Sequence, residues 1–200
     1  PIAETRIFQA YTFPSTHDGL NAIRNFIHKG LRPAVVRLYD EVEAVPKISS
    51  YGFEKGFVLL ILVFEGNKEM SELEAGMTKE ICLGNNGRYK GELAAREWLE
   101  TRFSTKKMLD FDAIKGGTAD AIEVAAPWDC IENVWREMRK ALEPMCTVVD
   151  CHFSHVYHNG ASVYVIYHAK TDGDDKAGEE RYLQCLDTAI QTSLKYGGNV

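Results

Sequence analysis

The chain has 200 residues, 45% hydrophobic, 26% charged and 10% aromatic, proportions that exclude collagen-like, disordered and low-complexity readings. Its 23 Lys+Arg are scattered against 29 Asp+Glu for a formal net charge of −6, which speaks against a nucleic-acid module with its basic face. The longest unbroken apolar run, Phe57 to Phe64, falls well short of the roughly 20 residues that a membrane-spanning helix needs.

Thr5 to Phe13 is β-branched and aromatic and reads as a strand closed by Pro14 and Ser15. Ser15 then serves as an N-cap, with Asp18 at the third helical position and a stripe of Leu20, Ile23, Phe26 and Ile27 running to a stop at Gly30. Ala34 to Tyr39 is a second strand, and Phe57 to Glu65 an apolar, buried one. Met70, Leu73, Met77 and Ile81 mark a helix over Asn67 to Leu83, and Glu92 to Thr101 is a shorter helix. Phe103 to Gly117 reads as irregular with a helical turn, and Ala119 to Ala125 as a strand. Ile131, Val134, Trp135, Met138, Ala141 and Leu142 form the clearest helical stripe of the chain. Thr147 to Tyr157 and Ala161 to Lys170 are strands flanking Asn159-Gly160, a hairpin signal. A last helix, Glu179 to Tyr196, carries Leu183, Leu186, Ile190 and Leu194. This order predicts an α+β fold: a ferredoxin-like antiparallel sheet with helices on one face.

Phosphate-binding glycine loops, a GxSxG elbow and an HExxH pair are all absent from the sequence. The five cysteines form no CxxC pair, so they read as reduced, mostly buried thiols of a cytoplasmic protein, without a metal site or disulfide framework. Four of the six histidines (His152, His155, His158, His168) cluster at the hairpin. Alternation on a strand turns His155 away from His152 and His158, which are themselves about 20 Å apart, so no metal site is expected. A two-residue turn at Asn159-Gly160 sets His155 opposite Tyr164, with Tyr157 on the same face. That pair suits either proton transfer or sheet packing. Arg37 is a charge inside an apolar run, which calls either for a carboxylate partner such as Asp40 or Glu41, or for a ligand anion.

RIFQAYTFPS (Arg6 to Ser15), GLRPAVVRLYD (Gly30 to Asp40), EVAAPWD (Glu123 to Asp129), CHFSHVYHNGASVY (Cys151 to Tyr164) and the terminal YGGNV resemble, in order and from end to end, the flavin-linked oxidase family typified by alkyldihydroxyacetonephosphate synthase. The resemblance implies a large flavoprotein of the vanillyl-alcohol-oxidase type. In it an N-terminal domain grips FAD and a C-terminal cap shapes the substrate pocket. Residues 1–200 then correspond to the cap, with the FAD-gripping loop and a terminal histidine run outside them. The chain opens at Pro1, close to a strand, and stops soon after a helix-stop signal, so it is expected to be a piece of a longer protein.

The same resemblance implies acyl-to-alkyl exchange on acyldihydroxyacetone phosphate at the flavin, the ether-bond-forming step of ether-lipid synthesis, with Tyr164 as acid/base beside His155. The resemblance makes Arg37 a substrate-binding residue, and Tyr157, on the His155 face of the hairpin, is taken as a second one. It further implies a small or lipid-like substrate, peripheral membrane contact, a homodimer, and a cytoplasmic setting (peroxisomal in animal relatives). Relatives carry an arginine-aspartate pair upstream of APWD where this chain has Leu109-Asp110. That departure opens a second reading, the cap of an FAD-dependent oxidase or dehydrogenase of 2-hydroxy acids or alcohols. A third reading is a stand-alone ferredoxin-like binding module without chemistry.

Overall fold

The computed structural model describes residues 2–104, 117–171 and 175–200. In chain order the elements are β1 (Thr5–Phe13), α1 (Thr16–His28), β2 (Val35–Tyr39), α2 (Ala44–Ser50), β3 (Val58–Gly66), α3 (Lys68–Gly84), β4 (Arg88–Tyr89) and α4 (Leu93–Thr101). They continue with β5 (Gly117–Pro127), α5 (Ile131–Leu142), a 3-10 turn (Glu143–Met145), β6 (Val148–Val156), β7 (Gly160–Lys170) and α6 (Asp175–Lys195). The class is α+β and the paired strands are antiparallel, as the strand-helix order predicts. Two compact units share the chain: Pro1–Thr101 with His152–His158, and Arg102–Cys151 with Asn159–Val200. The division falls inside β6.

In the first unit the strands run in the order β4-β1-β3-β2-β6. Every side chain of β3 from Val58 to Phe64 is buried to 1% exposure or less, so this strand is covered on both faces. Its unbroken apolar run follows from that, because each aliphatic side chain withdrawn from water contributes about 1.5–3 kcal/mol. α1 and α3 lie on one face: Leu38 packs so closely on α1 that a Cβ at Gly19 would stand 2.7 Å from it, and the Gln9 side chain donates to the Ala75 carbonyl of α3. α2 and α4 add a layer on the opposite face, where Ala44, Ile48, Ala94 and Ala95 pack with Phe8, Ala10, Tyr39, Leu59, Ile61 and Val63.

Local signals set the ends of α1. The Ser15 hydroxyl accepts from the Asp18 N–H, and Gly30, at φ +81°, terminates the helix. α3 departs from the sequence pattern. It buries Ser71, Ala75, Thr78 and Cys82 and exposes Met70, Leu73 and Met77. Small residues bring the helix close to the sheet, so the buried stripe is rotated by one residue, about 100°, from the large apolar one.

In the second unit β5 and β7 pair along eleven residues, from Gly117↔Lys170 to Pro127↔Gly160. One face of this ladder (Ile122, Val124, Ala126 against Val165, Val163, Ala161) is buried. α5 presents Ile131, Val134, Trp135, Met138 and Leu142 inward, as its sequence stripe predicts. α6 repeats the behaviour of α3, burying Cys185, Ala189 and Ser193 while Leu183 and Leu194 stay exposed.

Candidate functional site

β2 delivers Arg37 to the face of the first unit that α2 covers, in register with Ile61, and Tyr39 follows on the same face opposite Leu59. The chain then turns on Asp40, whose Oδ1 accepts from the N–H groups of Val42 and Glu43. This turn launches α2 at Ala44 and sets Glu43 beside the sheet, with Lys47 one helical turn further on. From the far side of the sequence, β6 contributes His152, paired with Tyr39.

The result is a compact charged cluster. The His152 ring donates from Nδ1 to Glu43 Oε2 at 2.7 Å, and Lys47 donates to Glu43 Oε1 at 3.2 Å. Arg37 Nη2 lies 3.2 Å from the same His152 Nδ1. A single ring nitrogen has either a hydrogen or a lone pair to offer, and the shorter contact to a charged acceptor takes precedence. Burial alone would raise the Glu43 pKa; the His152 hydrogen bond and the nearby Lys47 and Arg37 charges outweigh it and bring the value down to about 2. Burial, reinforced by Arg37 and Lys47 and opposed by Glu43, lowers the His152 pKa, so the imidazole is neutral at pH 7. Tyr39 forms the floor, with Lys47 Nζ 4.3 Å and the Arg37 guanidinium 5.3 Å from its ring centre.

Arg37 itself makes no ion pair among the described residues. Its buried Nε has no hydrogen-bond partner there, and the two carboxylates near it in sequence are engaged elsewhere: Asp40 with the turn and Glu41 with the Thr16 hydroxyl. Arg37 also lines a cavity of about 290 Å³ together with Pro33, Trp98, Ser154, His155 and Tyr157. Three of the sequence candidates, Arg37, His155 and Tyr157, therefore meet at one cavity.

Tyr164 belongs to the second unit. It is half-buried on the open face of the β5–β7 ladder, directly opposite Glu123. Ala121 and Ala125 flank Glu123 along that face. The buried face of the same ladder carries the unit's core.

The hairpin differs from the two-residue turn that the sequence suggests. β6 ends at Val156 and β7 begins at Gly160, leaving Tyr157, His158 and Asn159 as the connection. Its groups are held separately: the His158 carbonyl is bonded to His28 Nε2, the two rings stack at 4.7 Å, and the Asn159 carbonyl accepts from Trp128 N–H. His155 stands in the left-handed region at φ +49° and interrupts the alternation of β6. The residue count that set His155 opposite Tyr164 therefore no longer applies. Leu109-Asp110 lies outside the described residues.

Sequence reasoning missed Glu43, Lys47 and His152 as one group. His152 and Glu43 are 109 positions apart, and α2, seven residues with Pro46 inside it, gives little periodic signal. Among the described residues no helix is long and apolar enough to cross a membrane.

Residues 2–200 match the family model described as FAD linked oxidases, C-terminal domain. The uncharacterized FAD-linked oxidoreductase YgcU of Escherichia coli (strain K12) is 24% identical over 98% of this chain and 43% of its own length. The alkyldihydroxyacetonephosphate synthase of Trypanosoma brucei brucei is 20% identical over 100% of this chain and 37% of its own. A solved alkyldihydroxyacetonephosphate synthase superposes with a TM-score of 0.85 at 19% identity, over all of this chain and 41% of that one. A 4-ethylphenol oxidase from Gulosibacter chungangensis gives 0.72 at 13% identity, over all of this chain and 46% of that one. The chain thus spans less than half the length of the relatives it matches.

Proposed function

The chain belongs to the family of FAD linked oxidases, C-terminal domain, and on that premise we propose that it is the substrate-facing cap of an FAD-dependent enzyme that acts on an anionic substrate. Among the described residues nothing forms a dinucleotide cradle: the adjacent glycines Gly197-Gly198 follow α6 rather than opening a helix, and α1 and α3 are capped by the side chains of Ser15 and Asn67. We therefore assign the grip on FAD to a part of the protein outside these residues.

What this chain contributes is confined to its own side chains. Arg37 binds the anionic group of the substrate, and Tyr157 lines the same cavity. Tyr164, half-buried on the alanine-flanked face of its ladder, is the acid/base residue of this reading. His155, on the cavity wall, orders the polar end of the substrate. The observation that carries the reading is Arg37: a permanently charged, partly buried guanidinium with no carboxylate in ion-pair contact, its buried Nε without a partner, is costly until an anion completes it. A substrate phosphate of the acyldihydroxyacetone phosphate kind supplies such an anion. A 2-hydroxy carboxylate does so too, and the volume of the cavity, about 290 Å³, favours that smaller substrate as the second reading.

The test uses the full-length, flavin-loaded protein. The first reading expects exchange of a fatty alcohol into acyldihydroxyacetone phosphate without bleaching of the flavin. Bleaching by 2-hydroxy acids without exchange selects the second reading. A protein that stays colourless with added FAD overturns both.

A further inference from the structure

The Arg37 cluster has more structure than an anion-binding arginine requires. Arg37 and Lys47 are positive, Glu43 is an anion and His152 is neutral, so the group contains one positive charge more than it balances. Glu43 lies between Lys47 and His152, taking a hydrogen bond from each, and its side chain is only 12% exposed. The His152 ring, 5% exposed and edge-on to Tyr39 at 6.1 Å, is thereby fixed in both tautomer and orientation. The fixed ring turns its Nδ1–H edge toward Nη2 of Arg37, which it cannot accept from and so keeps from turning further toward it, while Tyr39 lies under the guanidinium plane.

We propose that Glu43 and His152 are positioning residues: the carboxylate locks the imidazole, and the imidazole with Tyr39 holds the Arg37 guanidinium in the orientation that receives the anionic group, carboxylate or phosphate, of a ligand in the adjoining cavity. This inference rests on the reading of Arg37 given above, and it adds two residues that touch neither ligand nor cofactor.

Charge and position make opposite predictions for Glu43. Replacing it with glutamine leaves the cluster one charge more positive, so a purely Coulombic role tightens anion binding. A positioning role weakens it, because a neutral amide anchors the ring less firmly than a carboxylate does. Neither outcome depends on turnover.

The experiment titrates the whole protein with acetate and, separately, with inorganic phosphate at constant ionic strength, and reads the fluorescence of Trp98 on the cavity wall. Arg37→Met serves as the blank. We expect one of the two anions to bind to the wild type and to be lost in Arg37→Met. Its dissociation constant should rise about tenfold in Glu43→Gln and in His152→Phe, which fills the place of the ring. His152→Asn, whose amide nitrogen stands near the position of Nδ1, should recover most of that loss. The preferred anion distinguishes a carboxylate substrate from a phosphate one. Unchanged or tighter binding in Glu43→Gln overturns the positioning role while leaving Arg37 as the anion site. Absence of Arg37-dependent binding of either anion in the wild type overturns the anion site together with the positioning role built on it.

Discussion

The two units set their candidate residues in opposite surroundings. In the first, β3 is covered on both faces, and Arg37 lies in a largely enclosed cluster where burial and neighbouring charges decide which groups are ionised. In the second, the β5–β7 ladder buries one face and leaves the other, with Tyr164, Ala121 and Glu123, at least partly exposed. The comparison separates two tasks. A group that must retain a fixed charge and orientation gains from enclosure, whereas a group that must meet a reacting atom needs an open face with small neighbours.

The largest effect that tests this contrast is catalytic. Tyr164→Phe in the flavin-loaded protein should lower turnover by about a hundred- to ten-thousand-fold. Flavin content and thermal stability should stay near wild type, because the ladder keeps its aromatic ring. Near-normal turnover would return Tyr164 to sheet packing and remove the functional half of the comparison.

A stability effect comes next. Leu60→Ala, in the doubly covered strand, should cost about 2–5 kcal/mol in urea unfolding. Ile166→Ala, on the partly exposed face of β7, should cost about 1 kcal/mol. Equal losses would show that the ladder's second face is as enclosed as the sheet of the first unit.

The smallest effect is a pH dependence. The unfolded chain binds protons that folded His152 and Glu43 refuse, so both groups make stability fall as the pH falls. The His152 part is present above 6.5 and is lost below it, and the Glu43 part is lost from 4.5 downward through about 2. His152→Phe should flatten the decline in melting temperature between about pH 6.5 and 5 relative to wild type. His168, also lowered by burial, retains part of the slope. An undiminished slope in the variant would place the acid sensitivity outside the enclosed cluster.

Much of this arrangement was legible where the physics is local. The bounds of β1, the Ser15 cap and the buried stripe of α5 all follow from neighbouring residues, and the structure reproduces them. Arg37 was legible as a charge in an apolar strand, though not as one without an ion pair, because Asp40 is occupied by its own turn. The buried sides of α3 and α6 were not legible. Pattern reading follows the largest apolar residues, while these helices approach the sheet through Ser71, Ala75 and Thr78, and through Cys185, Ala189 and Ser193. The turn chemistry misled in another way: Asn159-Gly160 signals a tight hairpin, yet bonds from His28 and Trp128 hold a longer connection open. Nothing local could have joined Glu43 to His152.

That last separation also governs how the protein can be made and cut. The first unit is not a continuous stretch of chain: Pro1–Thr101 supplies most of it, and His152–His158 returns to complete it. During synthesis, β2 must wait some fifty residues beyond Thr101 for the partner that pairs Leu38 with Phe153 and Tyr39 with His152. Until then its outer edge is unpaired, and Glu43 faces Arg37 without the imidazole between them. A fragment ending at Thr101 would leave that edge open to self-association.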